Sequence, residues 1–179
     1  MGNENLLDDY DEIYSNFENR IFACDFIYFY NHNELIQGGV DMYDLSKFLK
    51  AQEWNYKNAL TEITNGHKTS HWIWYIFPQL KALGRSANAQ YYGIENLDEA
   101  KEYLADEILR ERLLEISKAL LELENNDVEY IMGSSIDAVK LQSSMTLFHL
   151  AETTCEIFTK VLEKYFGGQL DSKTVELCK

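Results

Sequence analysis

The sequence predicts a mainly α-helical, compact single-domain fold, and three observations carry that prediction. From residue 44 onward, apolar residues recur at spacings of three and four, the pattern of a helix that buries one face. Asp, Asn and Ser stand where these stretches begin, and Gly stands where several of them end. The chain has 179 residues, 46% hydrophobic and 26% charged, which suits one soluble domain with a sizeable core.

Taken in order, Leu6, Leu7, Tyr10, Ile13, Tyr14, Phe17 and Ile21 fit an amphipathic helix with an acidic outer face. Residues 21–30 have the aromatic enrichment of a strand. With Asn31-His32-Asn33 and Gly38-Gly39 they leave open a short β-hairpin near residues 21–43. Residues 1–40 are expected to be an N-terminal extension packed on the core, and residues 41–179 the helical domain. Asp44 can cap a long helix that buries Leu45, Phe48, Leu49, Gln52, Tyr56, Leu60 and Ile63 and stops at Asn65-Gly66. Thr69 or Ser70 is expected to cap a short helix through the next run, whose aromatic and β-branched content also permits a strand.

Residues 79–93 read as a loop with a short turn. Asn96 and Glu99 form a candidate capping box for a helix through Leu104. Asp106 then starts a helix to Leu123, with Ile108, Leu109, Leu113, Ile116, Leu120 and Leu123 inward. A short helix from Asp127 ends at Gly133, and Ser134 or Ser135 caps a segment over 136–150. Thr153 or Thr154 begins a helix holding Ile157, Phe158, Val161, Leu162, Tyr165 and Phe166, stopped by Gly167-Gly168. Asp171 caps a last turn.

Composition excludes several functions. Thirty acidic against 16 basic residues give a formal charge of −14, which opposes the basic stripe of a duplex nucleic-acid binder. Cys24, Cys155 and Cys178 are widely spaced, as expected of reduced thiols in the cytoplasm rather than of a disulfide framework or zinc knuckle. The N-terminus lacks the pattern of a secretory signal, and the apolar runs are too short to span a membrane.

The densest chemistry is the run His71-Trp72-Ile73-Trp74-Tyr75-Ile76-Phe77-Pro78-Gln79. Two tryptophans two residues apart cannot share one face of a regular element, so the run is expected to be core on one side and pocket on the other. His67 and His71 have a metal-pair spacing, but Lys68 follows the first and a helix break precedes it, so no metal and no cofactor is assigned. No G-x-S-x-G elbow, P-loop or dinucleotide fingerprint is present. Later in the chain, Asp137, Lys140 and Ser144 fall on one helical face, an anion, a cation and a hydroxyl that can converge on a ligand or lock helices together.

The strings Lys47-Phe48-Leu49-Lys50-Ala51-Gln52, Gly66-His67-Lys68-Thr69-Ser70 with the run that follows, Leu83-Gly84-Arg85-Ser86, and Asp137-Ala138-Val139-Lys140-Leu141-Gln142-Ser143-Ser144-Met145-Thr146-Leu147-Phe148 resemble an uncharacterised, mainly bacterial family often labelled calpastatin in genomes. The resemblance covers residues 41–179 and implies a compact, mainly helical domain, so that the aromatic run is helical. Gln142 stands where that family usually has arginine. The order of the aromatic stretch 26–30, the helix holding Ala51-Gln52 and Tyr56, and an Asp-x-x-Lys helix followed by Phe148 is also similar to NADAR proteins, which process ADP-ribose and related NAD-derived compounds.

These readings converge on a pocket between residues 71–79 and the helix over 136–150, for a nucleotide-like small molecule of the NAD or ADP-ribose type, with hydrolysis as the candidate reaction. Trp72, Trp74 and Tyr75 would stack on a ring, and Lys68, Arg85 and Lys140 would hold phosphates. Gln79, Ser86, Ser143 and Ser144 would add hydrogen bonds. Asp137 and His71 are the acid-base candidates. The competing expectation is a non-enzymatic helical module whose acidic surface binds a partner protein.

Overall fold

In the computed structural model, which describes residues 43–179, the first helix, α1, covers Ser46–Thr64. Asp44 precedes it and accepts a hydrogen bond from the Ser46 amide at 3.0 Å. Gly66, at φ 77°, turns the chain after its end, a backbone conformation that costs a residue with a side chain more than glycine. The helix expected over residues 6–21, and the hairpin near 21–43 up to residue 42, lie outside the described residues.

The aromatic run contributes one short helix, α2 (Ile73–Ile76), followed by Pro78. Neither Thr69 nor Ser70 caps it, because both are engaged by Glu62. Residues 79–93 hold a 3-10 turn, Lys81–Leu83, and the short helix α3 (Ala87–Tyr91), whose first turn is capped by Ser86. Leu80 and Ile94 form an isolated parallel bridge. Glycine is required at position 93, since a Cβ there would lie 2.5 Å from both the Ala89 carbonyl oxygen and the Lys81 Cα.

Five of the remaining six helices start as their caps predict. Asn96 caps α4 (Leu97–Ala105), accepting from the amides of Asp98 and Glu99. Glu99 reaches back to the amide of Glu95 at 2.6 Å, one residue before the partner a capping box would supply. Asp106 caps α5 (Glu107–Glu122), and Asp127 caps α6 (Val128–Met132), which ends at Gly133 with φ 73°. Ser134 caps α7 (Ser135–Ala151), and Asp171 caps α9 (Ser172–Leu177). Helix α8 (Glu156–Phe166) instead follows Cys155, not Thr153 or Thr154, because a turn closed by the Cys155 amide on the Glu152 carbonyl intervenes. Ile108 is exposed, contrary to expectation. It sits one residue off the buried stripe of Leu109, Leu113, Ile116 and Leu120.

The core gathers around α7, which packs on α2, α4, α6, α8 and α9. Four rings from four helices run through it. Phe48 meets Tyr103 at 5.1 Å between centroids, Tyr103 meets Phe148 at 5.1 Å, and Phe148 meets Phe158 at 5.8 Å. On the α1 side, Gln52 is buried and its amide donates to the Tyr75 carbonyl at 2.7 Å and to the Tyr103 hydroxyl at 3.0 Å. That one side chain ties α1 to both the aromatic run and α4.

The loop between α1 and α2 is held by the carboxylate of Glu62. It accepts from the Thr69 amide at 2.8 Å, the Thr69 hydroxyl at 2.9 Å, the Ser70 amide at 3.0 Å, the Ser70 hydroxyl and the Trp72 indole at 2.8 Å. Burial acts to raise its pKa, but the hydrogen bonds from Ser70, Thr69 and Trp72 outweigh that and hold the carboxyl far below the usual glutamate range. The folded state therefore gains stability above the ordinary glutamate pKa and loses it as pH falls through the depressed value.

Two substitutions test this architecture. Phe148→Ala should cost about 3–5 kcal/mol in urea unfolding, as large-to-small changes at buried rings do. Glu62→Gln should cost about 2–3 kcal/mol near pH 7, through weakened hydrogen bonds to a charged acceptor. Unfolding followed from about pH 7 down to about pH 3 should then show a shallower acid decline in Glu62→Gln than in the parent protein. Equal declines would show that Glu62 ionises alike in the folded and unfolded chains.

Candidate functional site

The two tryptophans of the aromatic run occupy different environments, as their spacing requires. Trp72 is 1% exposed, its indole nitrogen is taken by Glu62, and the Lys68 ammonium lies 5.2 Å from its ring centroid. A ligand ring cannot stack on it, which corrects that part of the expectation. Trp74 is half-buried, with the Lys140 ammonium 4.7 Å from its ring centroid. Tyr75, also half-buried, meets Tyr92 at 5.2 Å, and burial raises the pKa of both phenols.

Between these rings and α7 lies an ion cluster. The Lys68 ammonium stands 2.6 Å from one carboxylate oxygen of Asp137, and the Lys140 ammonium stands 2.8 Å from the other. Lys140 reaches Asp137 from the next turn of α7, while Lys68 comes from the loop that Glu62 clamps. The Lys68 amide also donates to the Ile131 carbonyl at 2.7 Å, and a Cβ on Gly133 would stand 2.7 Å from the Lys68 carbonyl oxygen. The end of α6 therefore fixes the backbone that delivers this lysine.

The cluster carries two positive charges and one negative charge, so it is a local cation in a chain of formal charge −14. Burial pushes the Asp137 pKa upward, but hydrogen bonds and charge from Lys140 and Lys68 prevail and lower it. Asp137 is thus ionised and fully engaged. A carboxylate so stabilised is a weak proton acceptor.

Of the residues expected to converge, Lys68, Asp137, Lys140 and Trp74 do meet. Ser144 lies one turn beyond Lys140 on α7, fully buried, and its hydroxyl has no hydrogen-bond partner. Leaving such a group unpaired costs about 1–3 kcal/mol. Ser143 is also buried but bonds back to the Val139 carbonyl at 3.1 Å. Gln79 is half-buried, and its backbone carbonyl accepts from the Ile94 amide. Ser86 is spent as the cap of α3, and Arg85 beside it is exposed, with no ion pair to this cluster.

His71 is exposed and no hydrogen bond joins it to Asp137. His67 and His71 share no helix, since both fall between α1 and α2, and His67 bonds the Tyr130 carbonyl at 2.6 Å. Among the described residues no group of three His, Cys, Asp or Glu could hold a metal ion, and no helix is long and apolar enough to cross a membrane. Sequence reasoning missed Glu62, the acceptor that organises the Lys68 loop. Its signal was the pair of hydroxyl residues, Thr69 and Ser70, just past a helix end and short of an acceptor.

A search of the curated proteins gave no match for this chain. Among solved structures, it is similar to the crystal structure of the conserved hypothetical protein Rv1873 from Mycobacterium tuberculosis, with 40% sequence identity and a TM-score of 0.74, over 77% of this chain and 98% of that one. Residues 42–178 match the family model described as a protein of unknown function, DUF1810, and the chain belongs to that family.

Proposed function

We propose that the surface where the aromatic run meets α7 binds an anionic, ring-bearing small molecule of the NAD-derived or ADP-ribose-like class. The observation that supports this reading is Lys140, which sits over the half-buried Trp74 ring while bonded to Asp137. A flat ring beside an ammonium group suits a ligand that combines a base with phosphate, by stacking and charge-assisted hydrogen bonding. Lys68 adds the second positive charge from beneath. As a general base, Asp137 would first have to shed both ammonium groups, so the proposal is for binding and not for hydrolysis.

The burial of Lys68 favours one rival, in which the cluster only locks the loop to α7 and the protein acts as an interaction module. Calorimetric titration with ADP-ribose and NAD separates the two. The parent protein should bind, and Lys140→Ala and Trp74→Leu, which keeps an apolar side chain against the core, should each weaken binding at least about tenfold while keeping melting temperatures within about 4 °C. Asp137→Ala should cost about 3–5 kcal/mol of stability, because it leaves Lys68 buried without its counter-ion. Absence of binding heat from a folded sample, with the stability loss intact, would establish the lock and refute the site.

A further inference from the structure

Ser144 has chemistry that neither the packing nor the ion cluster uses. Serine and threonine in a helix ordinarily bond the carbonyl four residues back, and Ser143 and Thr146 in the same helix do so. Ser144 does not. Among the described residues its Oγ is the buried side-chain polar atom that lacks a partner.

The place of Ser144 relative to the ion cluster follows from helix geometry. Asp137, Lys140 and Ser144 lie along one stripe of α7, and four residues place Ser144 about 6 Å further along the axis than Lys140. The next residue on the stripe, Phe148, packs on Tyr103, whose hydroxyl is held by Gln52, which also holds the Tyr75 carbonyl. The stripe therefore passes from charged groups beside Trp74 to a ring-lined interior that Gln52 ties to the Tyr75 backbone.

We infer that Ser144 is the hydrogen-bonding residue at the inner end of this site, and that it selects a heteroaromatic ring with a polar edge joined to an anionic group. The inference rests on the binding reading given above. A hydroxyl donates and accepts at once, which suits the mixed edge of a base or a ring amide. With the anion on Lys140, the ring edge falls near Ser144, one helical turn inward. Ser144 is fully buried in this structure, so the ring reaches it through side-chain rearrangement at the site, a scale of motion common when ligands bind.

The test compares ADP-ribose with ribose 5-phosphate, which keeps a phosphate but has no heteroaromatic base, on the parent protein, Ser144→Ala, Ser144→Cys and Lys140→Ala. Both Ser144 variants should melt at or above the parent temperature, since each removes or softens an unpaired buried hydroxyl. Both should bind ADP-ribose roughly five- to tenfold more weakly and ribose 5-phosphate with unchanged affinity. Lys140→Ala should weaken both ligands. Unchanged ADP-ribose binding in the Ser144 variants, with Lys140→Ala impaired, would overturn the role of Ser144 and leave the site standing. A fall in melting temperature in both Ser144 variants with equal loss for both ligands would mark a structural hydroxyl and overturn it too. No binding of either ligand by the parent protein would refute the site and this inference together.

Discussion

The burial of α7 on nearly every side is the constraint from which the rest of the structure follows. Ala138, Leu141 and every residue from Ser143 to Phe148 are buried, so this helix has no continuous solvent face along its second half. A helix apolar all round must be enclosed by other elements. The surrounding helices α2, α4, α6, α8 and α9 supply that enclosure, and the ring series from Phe48 to Phe158 crosses it. The first turns of α7, with Ile136 and Val139 exposed, emerge from the same packing, which is why Asp137 and Lys140 sit at the edge of the core.

Two carboxylates divide the work of fixing the loop between α1 and α2. Glu62 gathers amides, hydroxyls and an indole, and it shapes the backbone from Thr69 to Trp72. Asp137 gathers two ammonium groups, and it ties that loop to α7. The two devices have different chemistry. Neutral donors around Glu62 make a closed structural clamp, whereas the paired lysines around Asp137 leave a net positive charge beside a half-buried ring. Only the second has electrostatics that an anion would recognise.

Family membership and the likeness to a solved hypothetical protein establish the fold and leave the chemistry to the site itself. A fold hosts many functions, and the named groups of the site decide among them. The proposed reading is binding without turnover, because the Asp137 carboxylate is already paired with two cations and the histidine of the run is out in solvent. Exposed apolar residues elsewhere, such as Trp54 at 82% exposure, are scattered positions of a kind common on protein surfaces.

Much of this protein was determined by local sequence. Helix starts at Asn96, Asp106, Asp127, Ser134 and Asp171 follow from side chains that accept from amides two or three residues ahead, and stops at Gly133 and Gly167 follow from left-handed backbone angles. The shared helical face of Asp137, Lys140 and Ser144 follows from spacing alone. What the tertiary structure decided is which groups meet across distance. Lys68 pairs with Asp137 because α6 holds its backbone, Trp72 is sealed because Glu62 takes its indole, Arg85 stays outside in an exposed loop, and His71 faces solvent from a run whose next residues turn inward. Periodicity and capping are properties of neighbours in sequence, whereas the pairing of charges and the sealing of rings depend on packing between elements far apart in the chain, which no local pattern encodes.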